Sequence, residues 1–369
     1  MFIYFILIIL FFLSIKMFGS NSKKMYVLFV FLLTFIAFFR NKSVGADNFV
    51  YFLNFKNSTM NPLTWSAYTE FEPGFAWFTA FFKTYINHDY LLYMGTLFLI
   101  YMLGVNHIIA KNENRFLCLF FFVLFLFYTK SFNIMRQSAA LGIYFFIYPL
   151  LTKMKETRVE ASIVKYWVLY SIFVFAIAML VHRSIIIMLL IPILIFCKNT
   201  KILNDKKYIY ILLLLSYVAT FASIFLYRFI PLLEGALSFL GDRYVDYLAT
   251  SVDSETTISV YSSLLNVLFA IYVVYLYPSN RVNTLSLQIY IYSIVLSNFL
   301  GGFSDLFLRI SMNLSFFQIF VFSYLWTNVH SFRDRLQFRF LLIIYGMIIY
   351  SNAIIKNFGL IVPYSNQFF

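Results

Sequence analysis

"PGFAWFTAFFKTYIN", residues 73–87, is apolar, only fifteen residues long and interrupted by Lys83. A bilayer crossing needs about 20 residues of helix. Whether this stretch crosses decides on which face every later loop falls. The basic loops answer the question. "NSKK" (21–24), "KMKETRVEASIVK" (153–165), "KNTKILNDKK" (198–207) and "SFRDRLQFR" (331–339) are the clearest. Short cytoplasmic loops are enriched in Lys and Arg. All four fall on one side only if 73–87 does not span, or re-enters the face it came from.

The rest of the chain is built from apolar runs. It is 62% hydrophobic and 12% charged, with a mean hydropathy of +0.83, where soluble domains carry about 25% charged residues. Runs at 1–18, 25–39, 90–110, 116–131, 133–151 and 166–182 read as helical crossings. So do 183–197, 208–230, 259–278, 285–303, 310–327 and 340–356. Together they predict an all-α, polytopic transmembrane helical bundle of about twelve crossings. Short amphipathic helices are expected on the outer face, and 1–369 reads as one integral domain. The first run lacks a basic leader and a small-residue cleavage site, so it reads as a retained helix. Two long outer loops are expected, 40–89 and 231–258. In the second, Leu233, Leu237, Leu240, Tyr244, Tyr247 and Leu248 trace one helical stripe suited to the membrane surface.

The net charge of +13 does not indicate nucleic acid, because the bases sit at the ends of apolar runs. Cys118 and Cys197 lie inside apolar runs and form neither a disulfide framework nor a thiolate metal site. No metal and no cofactor is expected. The inner loops are short and hold no Gly-rich phosphate loop. By contrast Arg40, Asp47, Glu70, Glu72, Arg136, His182, Arg243, Asp305 and Arg309 all fall at or near the outer face. Chemistry is therefore expected outside, away from nucleotides.

Each candidate has a structural reading beside a chemical one. Arg40 ends an apolar helix as a snorkelling cap, and Asp47 suits a helix N-cap. Glu70 and Glu72 precede Pro73-Gly74, where carboxylates favour a helix start. They would equally serve as a base or as a divalent-cation site. Asn133, Arg136 and Gln137 stand at i, i+3 and i+4, one helix face. An Arg in a membrane helix costs roughly 2.5–3.5 kcal/mol at the centre, and an anchor does not explain its polar companions. His182 in "LVHRSII" is a membrane-embedded outer histidine. Asp305 and Arg309 at i, i+4 suit an intramembrane ion pair.

The order of these segments resembles the EpsG/Wzy family of membrane polysaccharide polymerases. Arg40, Gly45, Asp47 and Tyr51 match its R-x-x-x-G-x-D-x-x-x-Y pattern with one residue more between Arg and Gly. Glu72 and Gly74 match E-x-G, Asn133, Arg136 and Gln137 match N-x-x-R-Q, and His182 with Ser184 matches H-x-S. The likeness is firm over about residues 40–190; Arg243 and Arg309 match by position alone.

The resemblance implies a glycosyltransferase acting on undecaprenyl-pyrophosphate-linked repeat units at the outer face of a bacterial cytoplasmic membrane. Its partners would be that lipid-linked glycan, membrane lipids and a chain-length regulator. Under this reading Arg136, Arg243, Arg309 and Arg40 face pyrophosphate, with Gln137 and Asn133 orienting phosphate or sugar. Glu72, Asp47 or His182 is the base, Glu72 slightly ahead. The rival readings are a flippase for the same lipid-linked glycans and an O-antigen ligase-like transferase.

Overall fold

The computed structural model describes residues 2–61, 71–156, 160–196, 205–226, 260–279, 284–301 and 305–365. Every regular element among them is helical. Four helices are long and apolar enough to cross a bilayer: Tyr90–Ile109, Ser162–Leu180, Leu308–Asn328 and Phe332–Ile355. Lys206–Leu226 also reaches 21 residues, but most of the other apolar runs expected to cross form shorter helices, so among the described residues the expected count of about twelve full-length crossings is not met. Phe2–Phe18 and Lys23–Phe38 have 17 and 16 residues. The run 116–131 is split into Arg115–Leu124 and Phe127–Lys130 by Leu126, whose φ of 68° lies in the left-handed region. The run 183–197 opens as a 3₁₀ helix, Arg183–Leu189, before Leu190–Phe196. Large side chains such as Phe31, Ile172, Leu214 and Ile348 stay exposed, as lipid-facing surfaces require.

Two compact units are present, and each has its own packing. The first comprises Met1–Ile186, Phe322–Thr327 and Arg335–Phe369. Its spine is Tyr90–Ile109 running along Met135–Ile147, with the backbones touching at Gly104 and Gly142. Asp89 starts the first of these helices by accepting the Leu91 N–H at 2.8 Å. Upstream lie Asn48–Asn57 and the nine-residue helix Pro73–Phe81, which continues as a π turn, Phe82–Ile86. Tyr51, Phe55, Phe75, Phe82, Tyr90, Tyr93 and Met135 form the cluster that binds these pieces to the spine. Lys83, the charge that interrupts the opening stretch, donates to the carbonyls of Lys56 (2.6 Å) and Ser58 (3.0 Å). It thus caps the carbonyl end of the neighbouring helix, the end that favours a cation.

The second unit comprises Ile187–Val321 and Asn328–Asp334. Here Leu285–Leu300 packs against Lys206–Leu226 and Asp305–Ser315. At its centre Ser263 Oγ lies 2.9 Å from Thr220 Oγ1 and donates to Asn298 Oδ1 at 2.8 Å. Asn298 Nδ2 in turn donates to Ser216 Oγ at 2.9 Å. All four side chains are buried, so three helices are joined by hydrogen bonds that water does not contest.

Candidate functional site

Glu72 stands at the N-cap position of Pro73–Phe81, where the sequence suggests either a plain helix start or a base. Its carboxylate does not cap that helix. Instead Oε2 accepts from Arg136 Nη1 at 2.6 Å and Oε1 accepts the backbone N–H of Arg183 at 3.0 Å. His182 Nδ1 lies 3.5 Å from the same Oε1. The three side chains are nearly enclosed, 4% exposed for Glu72, 13% for Arg136 and 12% for His182. Three segments far apart in sequence therefore meet on one carboxylate.

Local geometry explains the meeting. A Cβ on Gly74 would lie 2.7 Å from both Cβ and the carbonyl oxygen of Leu180. Only a residue without a side chain lets the start of the Pro73 helix touch the end of Glu160–Leu180, which carries His182 just beyond it. Gly74→Ala is expected to push the two apart and lower any activity of the cluster by roughly 10²-fold, the scale of a ~1 Å misplacement. The protein should still accumulate in the membrane. Product formation at saturating substrate measures it, and an unchanged rate would remove the close approach from the account.

Arg136 is the second residue of Met135–Ile147. Its guanidinium lies 4.3 Å from the centre of the Phe71 ring and 5.8 Å from that of Phe75, cation–π contacts that hold the fork flat. Its Nε is buried with no hydrogen-bond partner among the described residues. Burial disfavours the charged form of Glu72, but the His182 imidazole, the Arg136 charge and the Arg183 N–H outweigh it. Together they hold the carboxyl at about 2. Glu72 is thus an ionised anchor at neutral pH.

A stability effect follows from that depressed value. A carboxyl held at about 2 against an ordinary 4.5 contributes on the order of 3 kcal/mol to folding. Because the folded value is the lower one, the contribution is complete above pH 4.5 and is lost as pH falls toward 2. Unfolding midpoints of detergent-solubilised protein should fall through that window, and the Glu72→Gln variant should lack this part of the slope. Parallel curves for the two proteins would show that the pair contributes nothing.

The other sequence candidates fall in different surroundings. Asn133, expected on one helix face with Arg136 and Gln137, lies before the helix begins, and its Oδ1 accepts the Asp47 N–H at 2.8 Å. Gln137 is inside the helix and buried. Asp47 occupies the N-cap position of Asn48–Asn57, but its side chain makes no capping bond. Arg40 does not snorkel: it is fully buried, donates to Ala37 O (2.7 Å) and Met135 Sδ (2.9 Å), and lies over the Phe132 ring. Arg309 sits part-buried in Asp305–Ser315, within the second unit. Arg243, Glu70, Cys197 and the 231–258 stripe lie outside the described residues, as does the Asp305 side chain of the expected ion pair. Among the described residues, no three His, Cys, Asp or Glu side chains gather as a metal site.

Sequence reasoning missed Phe71, Phe75 and the Arg183 N–H. The two rings flank Glu72 at one residue before and three after, a spacing hidden by the abundance of Phe throughout the chain.

An all-helical, largely apolar chain with several long hydrophobic helices and one enclosed Arg–Glu–His cluster has the make-up of a multi-pass membrane protein. The EpsG family model matches residues 23–366, and the chain belongs to the EpsG family. No curated protein and no solved structure matches it.

Proposed function

We propose that this protein is a polysaccharide polymerase and that Glu72, Arg136 and His182 form its transfer site. It would move a growing glycan from undecaprenyl pyrophosphate to the free end of a lipid-linked repeat unit, at the outer face of the bacterial cytoplasmic membrane. The observation that carries this reading is the convergence of Glu72, Arg136 and His182, each from a different family-like motif, on one carboxylate. Family membership supports a polymerase-like role in general.

The chemistry assigns distinct tasks. The acceptor hydroxyl attacks the anomeric carbon of the donor, the bond from that carbon to pyrophosphate breaks, and pyrophosphate leaves with the electron pair. The hydroxyl proton needs a base. Glu72, with a pKa of about 2, has little affinity for a proton at neutral pH. We therefore give the proton to His182 Nε2, with Glu72 facing Nδ1 and holding the ring's orientation, as carboxylates do in base–orienter pairs. Arg136 already gives Nη1 to Glu72, and the rest of its fork faces the leaving pyrophosphate, whose charge a guanidinium stabilises well in a dry site. Direct displacement inverts the anomeric carbon. Gln137, Arg243 and Arg309 remain proposed contacts to phosphate or sugar.

Purified protein incubated with a synthetic lipid-pyrophosphate repeat unit is expected to yield a ladder of longer products. Unlengthened substrate that has moved between leaflets would instead identify a flippase and sink the polymerase reading. Transfer only to a different acceptor would mark a ligase and sink it equally.

A further inference from the structure

The segment after the last helix is tied to the same part of the fold as Arg136. Its residues pair antiparallel with the Arg40–Asp47 loop: Asn41 N–H donates to Ser365 O (2.9 Å), Gly45 N–H to Leu360 O (2.9 Å) and Ala46 N–H to Gly359 O (2.8 Å). Two buried or half-buried tyrosines fasten it from either side, Tyr4 donating to Ile361 O at 2.8 Å and Tyr364 donating to Ile36 O at 2.7 Å. Asn357 brackets the turn, accepting the Val362 N–H at 2.7 Å and donating to Val362 O at 2.6 Å.

Both glycines in this pairing press on the approach to the Arg136 helix. Gly359 has a φ of +77°, and a Cβ there would lie 3.3 Å from Asn133 Cβ. Gly45 has a φ of +113°, and its Cβ would lie 2.5 Å from Phe132 O. The loop then holds the same stretch directly: Asp47 N–H donates to Asn133 Oδ1, and Arg40 stacks on Phe132 and bonds Met135 Sδ. Residues 132, 133 and 135 are each fixed by the loop or by the pairing segment. Arg136 comes next.

We propose that Asn357–Ser365 is a positioning strap for Arg136, acting through Asn133, and that Arg40 and Asn133 are positioning residues rather than contacts to substrate. The catalytic arm of this proposal rests on the transfer-site reading above; the structural arm does not. The strap fixes the register of the Arg40–Asp47 loop, the loop fixes Phe132 to Met135, and this sets where the guanidinium emerges beside Glu72.

Two forms test it against the full chain: a chain ending at Lys356, and full-length Gly359→Val, which leaves every helix residue unchanged. Hydrogen exchange at the Phe132–Ser138 amides is expected to rise at least about tenfold in both, the signature of a locally released segment. The kcat for chain extension should fall roughly 10²-fold, with KM changed less than about threefold, as a displaced transition-state contact requires. Exchange equal to that of the full chain in Gly359→Val overturns the proposal. Faster exchange with an unaltered kcat overturns it too, because the strap would then order the loop without serving the site. A full chain that makes no polymer sinks the polymerase reading instead, and the exchange result then decides the strap alone.

Discussion

Replacing Arg136 with alanine is expected to abolish chain extension, with at least a 10²–10³-fold loss of rate, the scale for removing one preorganised donor from a developing charge. Two consequences of the substitution must be separated. One is lost stabilisation of the leaving pyrophosphate. The other is a buried Glu72 carboxylate without its cation, which costs roughly 3–5 kcal/mol when a buried pair is broken. The double variant Arg136→Ala with Glu72→Gln removes both charges, so it should regain much of the stability and none of the activity. Arg136→Lys keeps the charge but loses the planar fork that lies on Phe71 and bonds Glu72. It should therefore stay well below the parent rate. Product ladders together with unfolding midpoints measure both effects, and an undiminished ladder from Arg136→Ala would reduce the residue to an anchor.

His182→Ala is the second large effect. Loss of a positioned base typically costs about 10²–10⁴-fold, and here the orienting carboxylate would remain in place, still paired with Arg136 and the Arg183 N–H. The space vacated beside Glu72 suits a free imidazole. Added imidazole should accordingly restore a measurable part of the rate to His182→Ala and none to Arg136→Ala. Rescue of both variants alike, or a His182→Ala enzyme as fast as the parent, would take the proton-accepting role away from this residue. Glu72→Gln should fall between the two, since it keeps a group beside Nδ1 but forfeits the charge.

Much of this was legible in the chain itself. Its apolar runs, broken at polar intervals, foretold a helical protein, and the polar interruptions singled out Glu72, Arg136 and His182 one by one. Their meeting was not legible, because it brings to Glu72 the side chain of Arg136, 64 positions away, and the His182–Arg183 corner, whose Arg183 N–H is 111 positions away. The break at Leu126 had no signal either: a left-handed leucine without glycine or proline follows from packing, not local preference. The start of the Arg136 helix was equally hidden. Ile134 occupies the N-cap position, with none of the Ser, Thr, Asp or Asn chemistry that marks such starts, so Asn133 read as part of a face it does not join. Arg40 illustrates the reverse error. A cation after an apolar run suggests snorkelling, and only the fold reveals the carbonyl, the sulfur and the ring that surround it.

The hydroxyl and amide network of the second unit bears on how its helices keep one register. Ser216, Thr220, Ser263 and Asn298 are spread over three helices, and none is an ionised group of the kind that resists entry into lipid. A shifted register would leave these buried hydroxyls and the amide without partners, at a cost of roughly 1–3 kcal/mol for each unsatisfied group. Uncharged polar side chains thus select one register among helices whose apolar faces alone would accept several.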